Sequence, residues 1–169
     1  DAERLQYEDD LDHPILYSLA GYQYCDLLLD QGDRAEALRR ATQTLAWSTP
    51  ENLLLDIGLD HLTLGRAHAP GSPESRHHLD QAVTYLRRAG QLDRLPLALL
   101  ARGTDADLAE VHKIATRSGM RLHLTDYHLA MARRHHSLEH LEKAEALIQQ
   151  TGYHRRDQEA AALRAELHS

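Results

Sequence analysis

Counted from successive turns, a small residue is followed five, four and then three positions later by further small or apolar residues, and this ladder recurs along the chain. Gly32, Ala37, Ala41 and Thr44 form one copy, Gly103, Leu108, His112 and Ala115 another, and Ala132, Ser137, Leu141 and Ala144 a looser third. A fourth reads Gly65, then Ala82, Leu86 and Ala89, after an insertion centred on Ala69-Pro70-Gly71-Ser72-Pro73. Steps of three and four keep residues on one helix face, and small side chains there let a neighbouring helix approach closely. A chain that repeats this contact is constrained to stack short helix pairs, an architecture that presents extended surfaces to partners.

The turn signals divide the chain accordingly. Residues 15–31 carry apolar side chains at helical spacing; Gly32 stops that helix and Asp33 caps the next, over 34–47. Thr49-Pro50-Glu51 offers a cap, a first-turn proline and a first-turn acid for a helix to about residue 68, and Ser72-Pro73-Glu74 repeats the signal for one ending before Gly90. Asp93 and Pro96 open a helix that stops at Gly103, Thr104 or Asp105 opens one ended by Ser118-Gly119, and another covers 120–134. Ser137 caps a partner running to Thr151-Gly152, and Asp157 caps a final Ala-rich helix over 158–167. No alternating β pattern competes, so the expected class is all-α with antiparallel neighbours. The pairs fall at 15–48, 50–90, 91–118 and 119–151, followed by a capping helix at 157–168, in one domain over 1–169.

Composition limits the function. The chain has 169 residues, a hydrophobic fraction of 42% and no apolar run near the ~20 residues of a membrane helix, so a soluble core is expected. Cys25 is the only cysteine, which excludes a disulfide framework and suits a reducing cytoplasmic setting. A formal charge of −7 disfavours a general nucleic-acid binder. The chain opens at Asp1 without signal-peptide character, and residues 2–10 read as helical, as in a fragment of something longer.

The ladder resembles the tetratricopeptide repeat, a helix pair of about 34 residues with a small residue at its turn and Ala-rich contacts in its second helix. The step from Gly32 to Gly65 is close to that period, and Gly58 and Gly65 stand where first-helix glycines are expected, although the Trp-Leu-Gly-Tyr signature is otherwise mostly absent. The segments Gly119-Met120-Arg121-Leu122-His123-Leu124 and Thr151-Gly152-Tyr153-His154-Arg155-Arg156-Asp157 look like repeat arrays at the ends of large bacterial signalling proteins. The resemblance implies a right-handed superhelical α-solenoid with a capping helix, acting as a scaffold or sensor with no activity or cofactor of its own. It further implies a concave groove lined by the first helix of each pair. Phased from the turn glycines, that groove would present Tyr22, Gln23, Asp26, Asp30, Asp56, Arg94, His123 and Asp126. Such a set leans acidic, and only Arg94 could clamp a terminal carboxylate, so the expected partner is a basic or amphipathic peptide or other domains of the same chain. A purely structural or oligomerising array is the alternative.

Other constellations carry less. The chain has 13 histidines. His136 and His140 stand four apart, but Ser137 between them starts a new helix, and a zinc site needs further ligands, with only His135 and His112 on offer. The same holds for a hydrolytic site built on these histidines. His77-His78 reads as a surface pair in the loop before the fourth helix, and His61 as a packed side chain between paired helices. The pairs Arg39-Arg40, Arg87-Arg88, Arg133-Arg134 and Arg155-Arg156 suit phosphate, yet two of them sit in last turns, where they complement the helix dipole. Phosphate-loop and nucleophile-elbow patterns are absent, Cys25 sits in an apolar helical run, and Asp9-Asp10 and Asp105/Asp107 read as helix-end charges.

Overall fold

Turns rich in Gly, Asp and Ser cut the chain into helices that each bury one stripe. The computed structural model describes residues 15–168, which hold nine α-helices and no strand. The helix expected over residues 2–10 and the Asp9-Asp10 pair lie outside the described residues. The chain divides between Ala101 and Arg102 into two compact units, a boundary inside the stretch 91–118 that the sequence assigns to one helix pair.

The first unit contains α1 (Ser18–Asp30), α2 (Arg34–Ser48), α3 (Leu54–Ala67), α4 (Pro73–Arg88) and most of α5 (Leu95–Arg102). The Asp33 side chain accepts the Glu36 N–H at 3.1 Å and starts α2 as expected. Thr49-Pro50-Glu51, in contrast, does not open α3. The Thr49 hydroxyl donates to the Leu45 carbonyl at 2.7 Å and so closes α2, Asn52 turns the chain at φ 54°, and α3 begins at Leu54. A hydroxyl can serve either helix end, and here it adds a second hydrogen bond to the Leu45 carbonyl, which also accepts the Thr49 N–H, instead of accepting an N–H of the next helix. At α4 the prediction is met: the Ser72 oxygen accepts the Ser75 N–H at 3.1 Å, with Pro73 in the first turn. His77 and His78 therefore lie inside α4, not in a loop before it.

The α3–α4 contact explains two interior glycines. A Cβ on Gly58 would lie 2.8 Å from Leu86 Cγ, and one on Gly65 would lie 2.7 Å from the Leu79 side chain. As α3 is followed forward the contacts on α4 run backward, so these two helices are antiparallel. Glycine in a helix interior costs roughly 1 kcal/mol relative to alanine. The close approach offsets it, because Leu86 becomes fully buried, and burying a leucine is worth about 1.5–3 kcal/mol. Cys25, Leu28, Ala37 and Ala67 form a further apolar cluster in this unit.

The second unit contains α6 (Asp105–Ser118), α7 (Arg121–His135), α8 (Leu138–Thr151), a 3₁₀ turn (His154–Arg156) and α9 (Asp157–Leu167). Thr104 and Asp107 cap α6 reciprocally, Ser137 starts α8, and Gly119 and Gly152 end α6 and α8 at φ 65° and 70°, a region closed to most side chains. Asp157 is not the cap of the last helix: the 3₁₀ turn runs straight into α9, and the Asp157 carboxylate instead meets His154 Nδ1 at 2.9 Å. Leu129, Ala132, Leu141, Ala144, Ile148, Ala160 and Leu163 form the core that α7, α8 and α9 share. The ladder position His112 is exposed and Val111 is buried in its place, because Val111 falls in step with Leu108 and Ala115.

Candidate functional site

Aligned by their buried residues, six of the nine described helices fall into two sets with matching registers. Gly21, Cys25 and Leu28 in α1, Gly58, Leu62 and Gly65 in α3, and Thr125, Leu129 and Ala132 in α7 are all buried at steps of four and three. Leu79, Ala82 and Leu86 in α4, Leu108, Val111 and Ala115 in α6, and Leu141, Ala144 and Ile148 in α8 are buried at steps of three and four. One position flanks each stripe. In the first set it lies three residues after the leading buried residue and holds Tyr24, His61 and His128. In the second it immediately precedes the leading residue and holds His78, Asp107 and His140.

This register produces the same histidine pair twice. His61 Nδ1 of α3 meets His78 Nδ1 of α4 at 2.8 Å, and His128 Nδ1 of α7 meets His140 Nδ1 of α8 at 2.8 Å. At that separation one ring donates its N–H and the other accepts. Aromatic neighbours wall both pairs. His61 stacks on Tyr85 at 5.8 Å between centroids, as the packed-side-chain expectation requires, while His68 and His77 contact His78. Tyr127 lies against His112, His128 and His140. Burial, then His78 and His77, push His61 down to about 4; burial, then His140 and Lys143, push His128 down to about 4. His78 and His140 are also lowered, each chiefly by burial. Among the described residues no three His, Cys, Asp or Glu side chains converge as a metal site would need. His136 ends α7 in a left-handed conformation and His140 belongs to α8, so those two do not share a helix face.

Beside His61, Asp60 turns the other way. Its Oδ1 accepts the Thr44 hydroxyl of α2 at 2.6 Å, and its buried Oδ2 has no hydrogen-bond partner among the described residues. Burial pushes this carboxyl up to about 7, with Thr44 opposing and the Asp56 charge adding. Because the folded value lies above the unfolded value of 3.8, the stabilisation is complete below 3.8 and is lost as pH rises from there to about 7. Asp60→Asn should therefore match the wild type near pH 4 and exceed it by about 1–3 kcal/mol at pH 8, the scale of a buried unpaired polar group. Denaturant unfolding at both pH values checks this, and identical pH dependences would contradict it.

The residues expected to line a groove separate into four groups. Tyr22 and Asp56 are buried, and Asp56 accepts the Ser18 hydroxyl at 2.6 Å. Asp26 pairs with Arg66 at 2.6 Å, Asp126 with Arg156 at 2.7 Å, and Arg94 with Asp93 at 3.2 Å. His123 is half-buried, with its Nδ1 enclosed. Gln23 and Asp30 are exposed on α1. Three arginines of the paired sets are also engaged within the chain: Arg40 is buried, lies over Tyr24 at 4.4 Å and meets Glu36, while the exposed Arg133 and Arg134 meet Glu159 and Asp105. The Arg39 and Arg40 guanidiniums hold the Glu36 carboxyl down to about 2.

Sequence reasoning did not pair His61 with His78 or His128 with His140. A signal was present in the His-Leu dipeptides at 61, 78, 128 and 140, each followed at helical spacing by a small residue. Comparison of the chain with protein-family models, with curated proteins and with solved structures finds no match.

Proposed function

We propose that this chain is a non-enzymatic binding module, a short tetratricopeptide-like array whose stacked helices hold a rigid surface for a peptide or for other domains of its own chain. The observation that carries this reading is the recurrence of matching buried registers in six of the described helices, since repeated contacts of this kind suit a surface-presenting scaffold. The partner is a basic or amphipathic segment, met by the exposed Gln23 and Asp30 of α1 in a chain of net charge −7. The test is isothermal titration with Lys/Arg-rich amphipathic peptides. Substituting Gln23→Lys and Asp30→Lys together should weaken binding at least about tenfold, ~1.4 kcal/mol, and raising salt should act in the same direction. Unchanged binding would remove the acidic surface from the proposal.

A second reading rests on Leu27, Leu53, Leu92, Leu122 and Leu138, which remain exposed. These suit self-association of an oligomerising array. Light scattering over a dilution series of the same samples separates the two, because a peptide-binding monomer keeps its mass.

A further inference from the structure

Two histidine pairs at one register, in two separately packed units, share one arrangement: ring nitrogens in direct contact, a tyrosine against the rings, and an apolar helix contact beside them. In the neutral pair one Nδ1 carries the proton and the other accepts it, so the donor ring has its lone pair at Nε2. A first added proton goes to that Nε2 and leaves the Nδ1–H···Nδ1 bond in place. A second has only the accepting Nδ1 to bind. It sets two N–H groups and two positive charges against each other at 2.8 Å, and the contact must open.

We propose that the His61–His78 and His128–His140 pairs are two-proton latches, which hold α3 to α4 and α7 to α8 while each pair carries at most one charge and release them when acid loads the second. The surroundings bear on both. Around the first pair stand His68, His77 and Tyr85, with Arg88 over the Tyr85 ring, while Asp60 faces Thr44 and Arg66 faces Asp26. Around the second stand His112 of α6, Tyr127 and His135 of α7, and Glu139 with Lys143 of α8, the last two paired to each other at 2.6 Å. At the second pair the Glu139 charge favours an added proton, but Lys143 opposes it more strongly.

The sign follows from the lowered histidine values. The stabilisation is complete above the unfolded value of 6.5 and is lost as pH falls toward about 4. Asp60 and Asp126 both have raised carboxyl values and so titrate with the opposite sign. The test must cancel them by comparing two proteins that both contain them. Asparagine places its amide where the histidine Nδ1 stood, so His61→Asn with His128→Asn keeps a hydrogen-bonding group and leaves each pair only one ring to protonate. Melting temperature measured from pH 7 to 4.5 should fall at least about 5 °C further in the wild type than in the double variant. Equal falls would overturn the proposal. The wild type alone supplies a second readout that does not depend on the variant folding. Ring-proton NMR should show His61 and His128 titrating below pH 5 in coupled two-step curves, whereas simple curves near 6.5 would overturn it.

Discussion

Valine at both Gly58 and Gly65 should destabilise the first unit by about 2–6 kcal/mol, the sum of two overpacked contacts at about 1–3 kcal/mol each, which is a large part of a domain's total stability. The Cβ at position 58 alone would stand 2.8 Å from Leu86 Cγ and 3.1 Å from the Leu86 backbone nitrogen, and position 65 repeats this against Leu79. Leu86 is fully buried and cannot swing aside, so the helices themselves must separate. Alanine at the same positions should be milder, because it regains about 1 kcal/mol of helix propensity against the same clash. Denaturant unfolding followed by circular dichroism measures both, and a valine variant as stable as the wild type would contradict the close α3–α4 contact.

The second large effect is expected at Arg102. Its guanidinium donates to both oxygens of Asp107 at 2.9 and 2.6 Å, and the side chain of Asp107 is 3% exposed. Burial pushes that carboxyl up, but Arg102, the Thr104 hydroxyl and the Thr104 N–H outweigh it and hold it below its ordinary value. Arg102→Met leaves the carboxylate buried with only Thr104, and should cost about 3 kcal/mol. Adding Asp107→Asn removes the stranded charge while retaining a side-chain oxygen for the Thr104 N–H, so the double variant should recover more than half of the loss. Stability of Arg102→Met within about 0.5 kcal/mol of the wild type would show that the pair is only surface chemistry.

Local chemistry made much of the fold legible. Asp33, Ser72, Thr104 and Ser137 each accept an N–H in the first turn of the helix they were expected to start, because a cap needs only residues three apart. Where a residue had two local uses, the reading went wrong. Thr49 could close one helix or open the next, and Asp157 could cap a helix or join it, and the choice depended on how the chain continued. The groove was harder for a related reason. Periodicity places Asp26, Asp56 and Asp126 on helix faces, but whether a face meets solvent or Arg66, Ser18 and Arg156 depends on segments about 30 to 40 positions away in the chain.

Sequence alone determined the all-α class, most helix ends and the repeated stripe of small and apolar residues, since each depends on interactions within a turn or two of helix. Only tertiary packing decided that α3 and α4 touch through two glycines, that Asp60 is enclosed, and that four scattered histidines become two bonded pairs. Those outcomes depend on which stripe faces which and at what distance, and a ring nitrogen has no partner until two helices bring one within 2.8 Å.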